Sequence, residues 1–131
     1  MLFRSVIGTD KSVSFRQIAK AVYSDMRTLP LEAREELEAD GIATRVVSMP
    51  CWELFDRQPP EYRDQVLPRA VTARVAVEQA STLGWDRYVG DGGAVIGMHT
   101  FGASAPLKDV LKKFGFDAEH VVAAAKELLG K

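Results

Sequence analysis

A thiol and an imidazole are the most reactive pair in this chain. Cys51, the single cysteine, follows Met49-Pro50, and His99 closes the apolar run before Thr100 and Phe101. A thiolate within hydrogen-bond reach of an imidazole, itself oriented by a third group, makes a nucleophile and base for acyl transfer. A small thiol between a proline and Trp52 also serves as buried packing, and both readings stay open. Ser104 is a second nucleophile. The strand-to-helix elbow that exposes a catalytic serine needs G-x-S-x-G, however, and in "GASAP" Pro106 replaces the closing glycine. Ser104 therefore reads as a helix N-cap. His120, beside Val121, reads as a partly exposed helical histidine.

The glycines of "GDGGAVIGMHTFGASAP", Gly90 to Pro106, suggest phosphate binding. A dinucleotide fingerprint needs a third glycine where Val95 stands, and needs the glycines after a strand, whereas these precede one. A Walker loop from Gly92 to Gly97 fails because Met98 stands where lysine must offset phosphate charge. Gly90-Asp91-Gly92 copies the start of a thiamine diphosphate–magnesium motif. That motif continues to an asparagine ligand, and the sequence has no asparagine. One aspartate cannot hold a magnesium ion and a diphosphate, so Gly92-Gly93 reads as a turn into a buried strand.

Strands and helices must bring the remaining groups together. "LFRSVIG", "IATRVVSMP", "AVTARVAVE" and "AVIGMHTF" are short, apolar or β-branched runs that read as strands. Between them lie helical patterns: "DKSVSFRQIAKAVYSDMRTL", which Pro30 should break or kink; "LEAREELEADG", stopped by Gly41; and "CWELFDRQPPEYRDQVLP", in two pieces. "STLGWDRYVG" reads as a turn of helix, in which Trp85 and Tyr88 cement a helix to the core or to a subunit interface. "SAPLKDVLKKFG" has Pro106 near its first turn, and "DAEHVVAAAKELLG" opens on Asp117. Short strands alternating with helices predict an α/β fold with helices on both faces of a parallel sheet. Ligands in such sheets bind outside the strand carboxyl ends. Those ends carry Ser48, Met49 and Cys51, then Glu78 and Gln79, then His99, Thr100 and Phe101. This rim is the expected ligand pocket, with a packed rim as the alternative.

At 131 residues and net charge -1, the chain fits one domain and lacks the basic face that nucleic acid requires. No apolar run approaches the roughly 20 residues of a membrane helix, the start lacks the features of a secretory signal, and the cytoplasm is the expected compartment. One cysteine excludes an internal disulfide, and no Cys/His spacing suits structural zinc.

Taken together, "RVVSMPCWELFDRQPPEYRDQVLP", "AVTARVAVE", "YVGDGGAVIGMHTFGASAP" and "FGFDAEHVVAAAKELL" resemble the C-terminal domain of bacterial transketolases, over about residues 31–131. The resemblance implies a three-layer α/β/α domain around a mainly parallel five-stranded sheet, residues 1–131 being one domain with an atypical segment at 1–30. It implies that thiamine diphosphate and magnesium belong to upstream domains, with no cofactor in this chain. It also implies a structural, regulatory or dimer-contact module without ketol transfer of its own. The alternatives are a small hydrolase of esters, lactones or thioesters, or a metabolite-binding protein, using the rim. If residues 1–30 leave a sheet edge open, a homo-oligomer, a dimer in the first instance, would cover it.

Overall fold

The computed structural model describes residues 4–9, 28–100 and 106–130. Its strands are β1 (Arg4–Thr9), β2 (Thr44–Ser48), β3 (Arg74–Ser81) and β4 (Ala94–Met98). Its helices are α1 (Thr28–Ala39), α2 (Trp52–Asp56), α3 (Pro60–Val66), α4 (Asp86–Val89), α5 (Leu107–Lys113) and α6 (Ala118–Leu128). The helix expected over residues 10–29 lies almost wholly outside the described residues.

Two cores make three layers. Leu29, Ala33 and Leu37 recur at every fourth position of α1, all buried, and meet Val121, Val122 and Ala125 of α6 over Val75 and Val77 of β3. On the opposite face, Trp85, Tyr88 and Val89 pack on Ala76 and Met49. The period of two along β3 thus divides its valines from Ala76, and Ala94 and Ile96 of β4 face the first core while Val95 faces the second.

The α/β class and the mainly parallel sheet stand, with one strand reversed. Among the described residues it has four strands in the order β2-β1-β3-β4. β1 runs antiparallel to both neighbours, with Val6 opposite Val47 and Ala76, while β3 and β4 are parallel. β2, β3 and β4, each joined to the next through helices, all point the same way. β1 runs against them although α1 lies on its connection to β2. The carboxyl ends of β2, β3 and β4 consequently share one rim, with β1 inserted between β2 and β3.

Local chemistry sets the helix ends. Pro30 is buried in the first turn of α1, where its missing N–H is harmless; the helix it was expected to break or kink lies almost wholly outside the described residues. Gly41, at φ 76°, ends α1, and the N–H of Ile42 reaches the carbonyl of Leu37 at 2.9 Å. The cap of α5 is Pro106, without a side-chain hydrogen bond, in place of the expected Ser104, which lies outside the described residues.

Asp117 caps α6: its carboxylate accepts from the His120 N–H at 2.9 Å and lies 2.7 Å from His120 Nδ1. Partial burial pushes this carboxyl pKa up, but the two hydrogen bonds from His120 outweigh it and hold the group below its ordinary value. A depressed folded value means that the stabilisation is in place above the unfolded carboxyl range and is lost as pH falls through the folded one. Asp117→Ala is expected to cost about 1 kcal/mol at neutral pH in urea denaturation. The gap between parent and variant should close as the pH drops below about 4.

Candidate functional site

The rim at the carboxyl ends of β2, β3 and β4 is where the fold would seat a ligand. Ser48, His99 and Thr100 are exposed there, and Gln79 is half-buried. Met49, expected to line a pocket, is only 2% exposed because it packs with Trp85 and Tyr88; it belongs to the core. Glu78 is the one buried charged side chain among the described residues, at 1% exposure. Phe101 and Ser104 lie outside the described residues.

The thiol and the imidazole have separate partners. Cys51 occupies the N-cap position of α2, and its thiol donates to Glu53 Oε2 at 3.3 Å. His99 Nδ1 lies 3.4 Å from the Thr82 hydroxyl. No described hydrogen bond joins Cys51 to His99, so the arrangement lacks the nucleophile–base contact that acyl transfer requires. Thr82 reaches His99 because β3 and β4 part there: Val77 pairs with Ile96, but the next paired residues are Ser81 and Met98. Gly97 fits this gap, where a Cβ would come within 2.5 Å of the Thr82 methyl.

The glycine-rich stretch is a turn. Gly90 has φ 76°, the Gly93 N–H donates to its carbonyl at 3.1 Å, and β4 starts at Ala94. Asp91 is exposed on this turn, and no three His, Cys, Asp or Glu side chains gather at metal-binding distance among the described residues. This donor set does not fit a magnesium–diphosphate group.

The most connected polar structure lies behind the rim. Trp52 and Trp85 meet edge to face at 5.1 Å, Tyr88 lies 5.4 Å from Trp52, and the Arg87 guanidinium stacks 5.0 Å over the Trp52 ring. The Tyr88 hydroxyl donates toward Asp56, 3.0 and 3.1 Å from its two oxygens. Burial first, and Asp56 second, raise the Tyr88 pKa to about 12, so the phenol stays protonated and a donor. Sequence periodicity places Trp52 and Phe55 on one face of α2, and Trp85 with Tyr88 against the core. Asp56 and Arg74 carried no such signal.

Arg74 opens β3 and spans four carbonyls: Val71 at 2.8 Å, Tyr88 at 2.6 Å, Leu67 at 3.3 Å and Pro68 at 2.7 Å. Burial lowers its pKa. It ties the segment that ends α3 to α4.

Comparison with known proteins agrees with this architecture. The profile described as "Transketolase-like TK C-terminal domain" matches residues 24–117. The chain belongs to the transketolase C-terminal domain family. It is 53% identical over 100 residues to a chloroplastic transketolase of Solanum tuberosum, covering 76% of this chain and 14% of that protein. Against transketolase 1 of Escherichia coli it is 54% identical over 101 residues, covering 77% and 15%. The solved transketolase of Leishmania mexicana superimposes with a TM-score of 0.70 at 42% identity, over 80% of this chain and 15% of that one. The chain thus spans about one seventh of the length of these transketolases, and the similarity is confined to their C-terminal domain. Among the described residues, no helix of this transketolase-type domain is long and apolar enough to cross a membrane.

Proposed function

We propose that the chain acts as the C-terminal module of a transketolase-type enzyme, structural, regulatory or engaged in dimer contact, and performs no ketol transfer alone. The observation carrying this reading is the confinement of similarity to one seventh of the transketolase chain. Thiamine diphosphate, magnesium and the sugar phosphates belong, on this reading, to the preceding domains. Residues 1–131 form one domain whose first 30 residues are atypical, and it assembles in the cytoplasm as a homodimer.

Ketol transfer between sugar phosphates, assayed with the purified chain, thiamine diphosphate and magnesium, is expected to give no product. Turnover above the blank would refute the proposal.

The rim supports a second reading, binding of a small metabolite, because Ser48, His99 and Thr100 expose hydroxyl and imidazole groups where α/β sheets take ligands. Thermal-shift measurements with sugar phosphates test it. Binding at the rim predicts a dose-dependent rise in Tm that His99→Ala abolishes; a rise unchanged in that variant removes His99 from the site. Hydrolysis of an ester, lactone or thioester has less support, since Cys51 and His99 hydrogen-bond elsewhere.

A further inference from the structure

Helices α2 and α3 are held differently from the rest of the fold. Neither contains a buried residue, whereas α1, α4 and α6 each bury two or more. Burial of an apolar face is what stabilises most helices in proteins, so this stretch draws little from that source.

Its attachments are concentrated at the two ends. At the carboxyl end, two arginines of the sheet grip the backbone. Arg45 of β2 donates to the carbonyls of Gln65 and Val66 at 2.8 and 3.2 Å, and Arg74 of β3 donates to those of Leu67 and Pro68. At the amino end only side chains make the connection: Trp52 meets Trp85, Phe55 meets Tyr88 at 5.9 Å, and Asp56 receives the Tyr88 hydroxyl and pairs with Arg87. Between the ends, Pro59 at φ -54° and ψ 149° runs directly into Pro60, the first residue of α3. Their rings fix φ at both positions, and this stiff joint makes α2 and α3 turn as one body.

The closed arrangement also carries a cost. Trp85 is fully buried, and its indole Nε1 has no hydrogen-bond acceptor among the described residues. A buried donor without an acceptor disfavours the state that buries it. Lifting α2 takes Trp52 off the Trp85 indole and admits water to that face.

We propose that residues 51–66 form a strap that opens as one unit, pivoting on the end held by Arg45 and Arg74 and latched shut by Asp56, while the sheet, α1 and α6 stay folded. Opening bares Trp85 and Tyr88, the aromatic part of the second core. The strap is a sub-global opening, below the stability of the whole domain, and it does not depend on the functional reading above.

Native-state hydrogen exchange of the full chain, read residue by residue at rising sub-denaturing urea, tests this. The reporters are the amides of Phe55, Arg57 and Arg63, bonded to the carbonyls of Cys51, Glu53 and Pro59, against the amides of Ala76 and Val77 in β3. The strap amides are expected to converge on one opening free energy that falls with urea and lies below that of β3, because urea sensitivity measures the surface an opening exposes. Asp56→Ala should speed their exchange about tenfold and leave the β3 amides unchanged. Asp56→Asn, which keeps an acceptor for Tyr88, should act in the same direction and less strongly. Glu38→Ala, which removes an exposed ion pair with Arg34 on α1, should alter neither set. Strap amides that exchange only with global unfolding overturn the proposal. So does exchange independent of urea, which marks each helix fraying by itself, or an Asp56→Ala effect shared equally by β3.

Discussion

Replacing Gly93 with alanine should remove about 3 kcal/mol of stability, whereas Gly92→Ala one position earlier should change it by no more than about 0.5 kcal/mol. At Gly93 an added Cβ would lie 2.5 Å from the Val89 Cβ and 2.6 Å from the Val89 carbonyl oxygen; at Gly92 it would meet nothing within 4 Å. Val89 is 4% exposed in the second core, and the backbone that would have to move is the end of α4. The chain can relieve this contact only by loosening α4 or by displacing the start of β4. Urea denaturation of the two variants checks the contrast. A silent Gly93→Ala would show that the approach to Val89 does not constrain the turn.

Arg74→Ala should be comparably damaging, at about 3 kcal/mol, because a hydrogen bond to a charged group contributes roughly 1.5–3 kcal/mol and this guanidinium serves four carbonyls. The losses do not add, since water can reach part of the site once the side chain is gone. Arg74→Lys should recover only a minor share, as an ammonium group cannot span carbonyls at Val71, Leu67, Pro68 and Tyr88 together. Near-ultraviolet circular dichroism provides an independent readout. Arg74 holds the Tyr88 carbonyl, and Tyr88 belongs to the Trp52–Trp85 ring cluster, so the aromatic signal should weaken in both variants. An Arg74→Ala protein with the parent's midpoint and aromatic spectrum would show that the four carbonyls are satisfied without it.

Much of this molecule was legible because short-range rules govern it. The four apolar runs became strands, Gly41 and Gly115 ended helices at positive φ, and Asp117 capped α6, each following from residues within a few positions of one another. The direction of β1 was hidden because it depends on partners far along the chain and on no local pattern. Met49 was misread for a related reason: its place at a strand end suggests a rim, while Trp85 and Tyr88, remote in sequence, bury it. Cys51 and His99 could be nominated by chemical type, but only the fold shows that Glu53 and Thr82 are their neighbours. Arg74 gave no sign at all, since its four acceptors are backbone carbonyls and carry no side-chain identity.

The reversed first strand also bears on the order in which this domain can be made. Ser5 sits between Ser48 and Val77, the second more than half the chain away, so the seat of β1 does not exist until β2 and β3 have both been synthesised. Contacts between residues so distant in sequence require closure of a long loop before any reward, and they slow folding. β1 therefore finds its place only after the two strands that flank it, and the pairing at the centre of the sheet closes late.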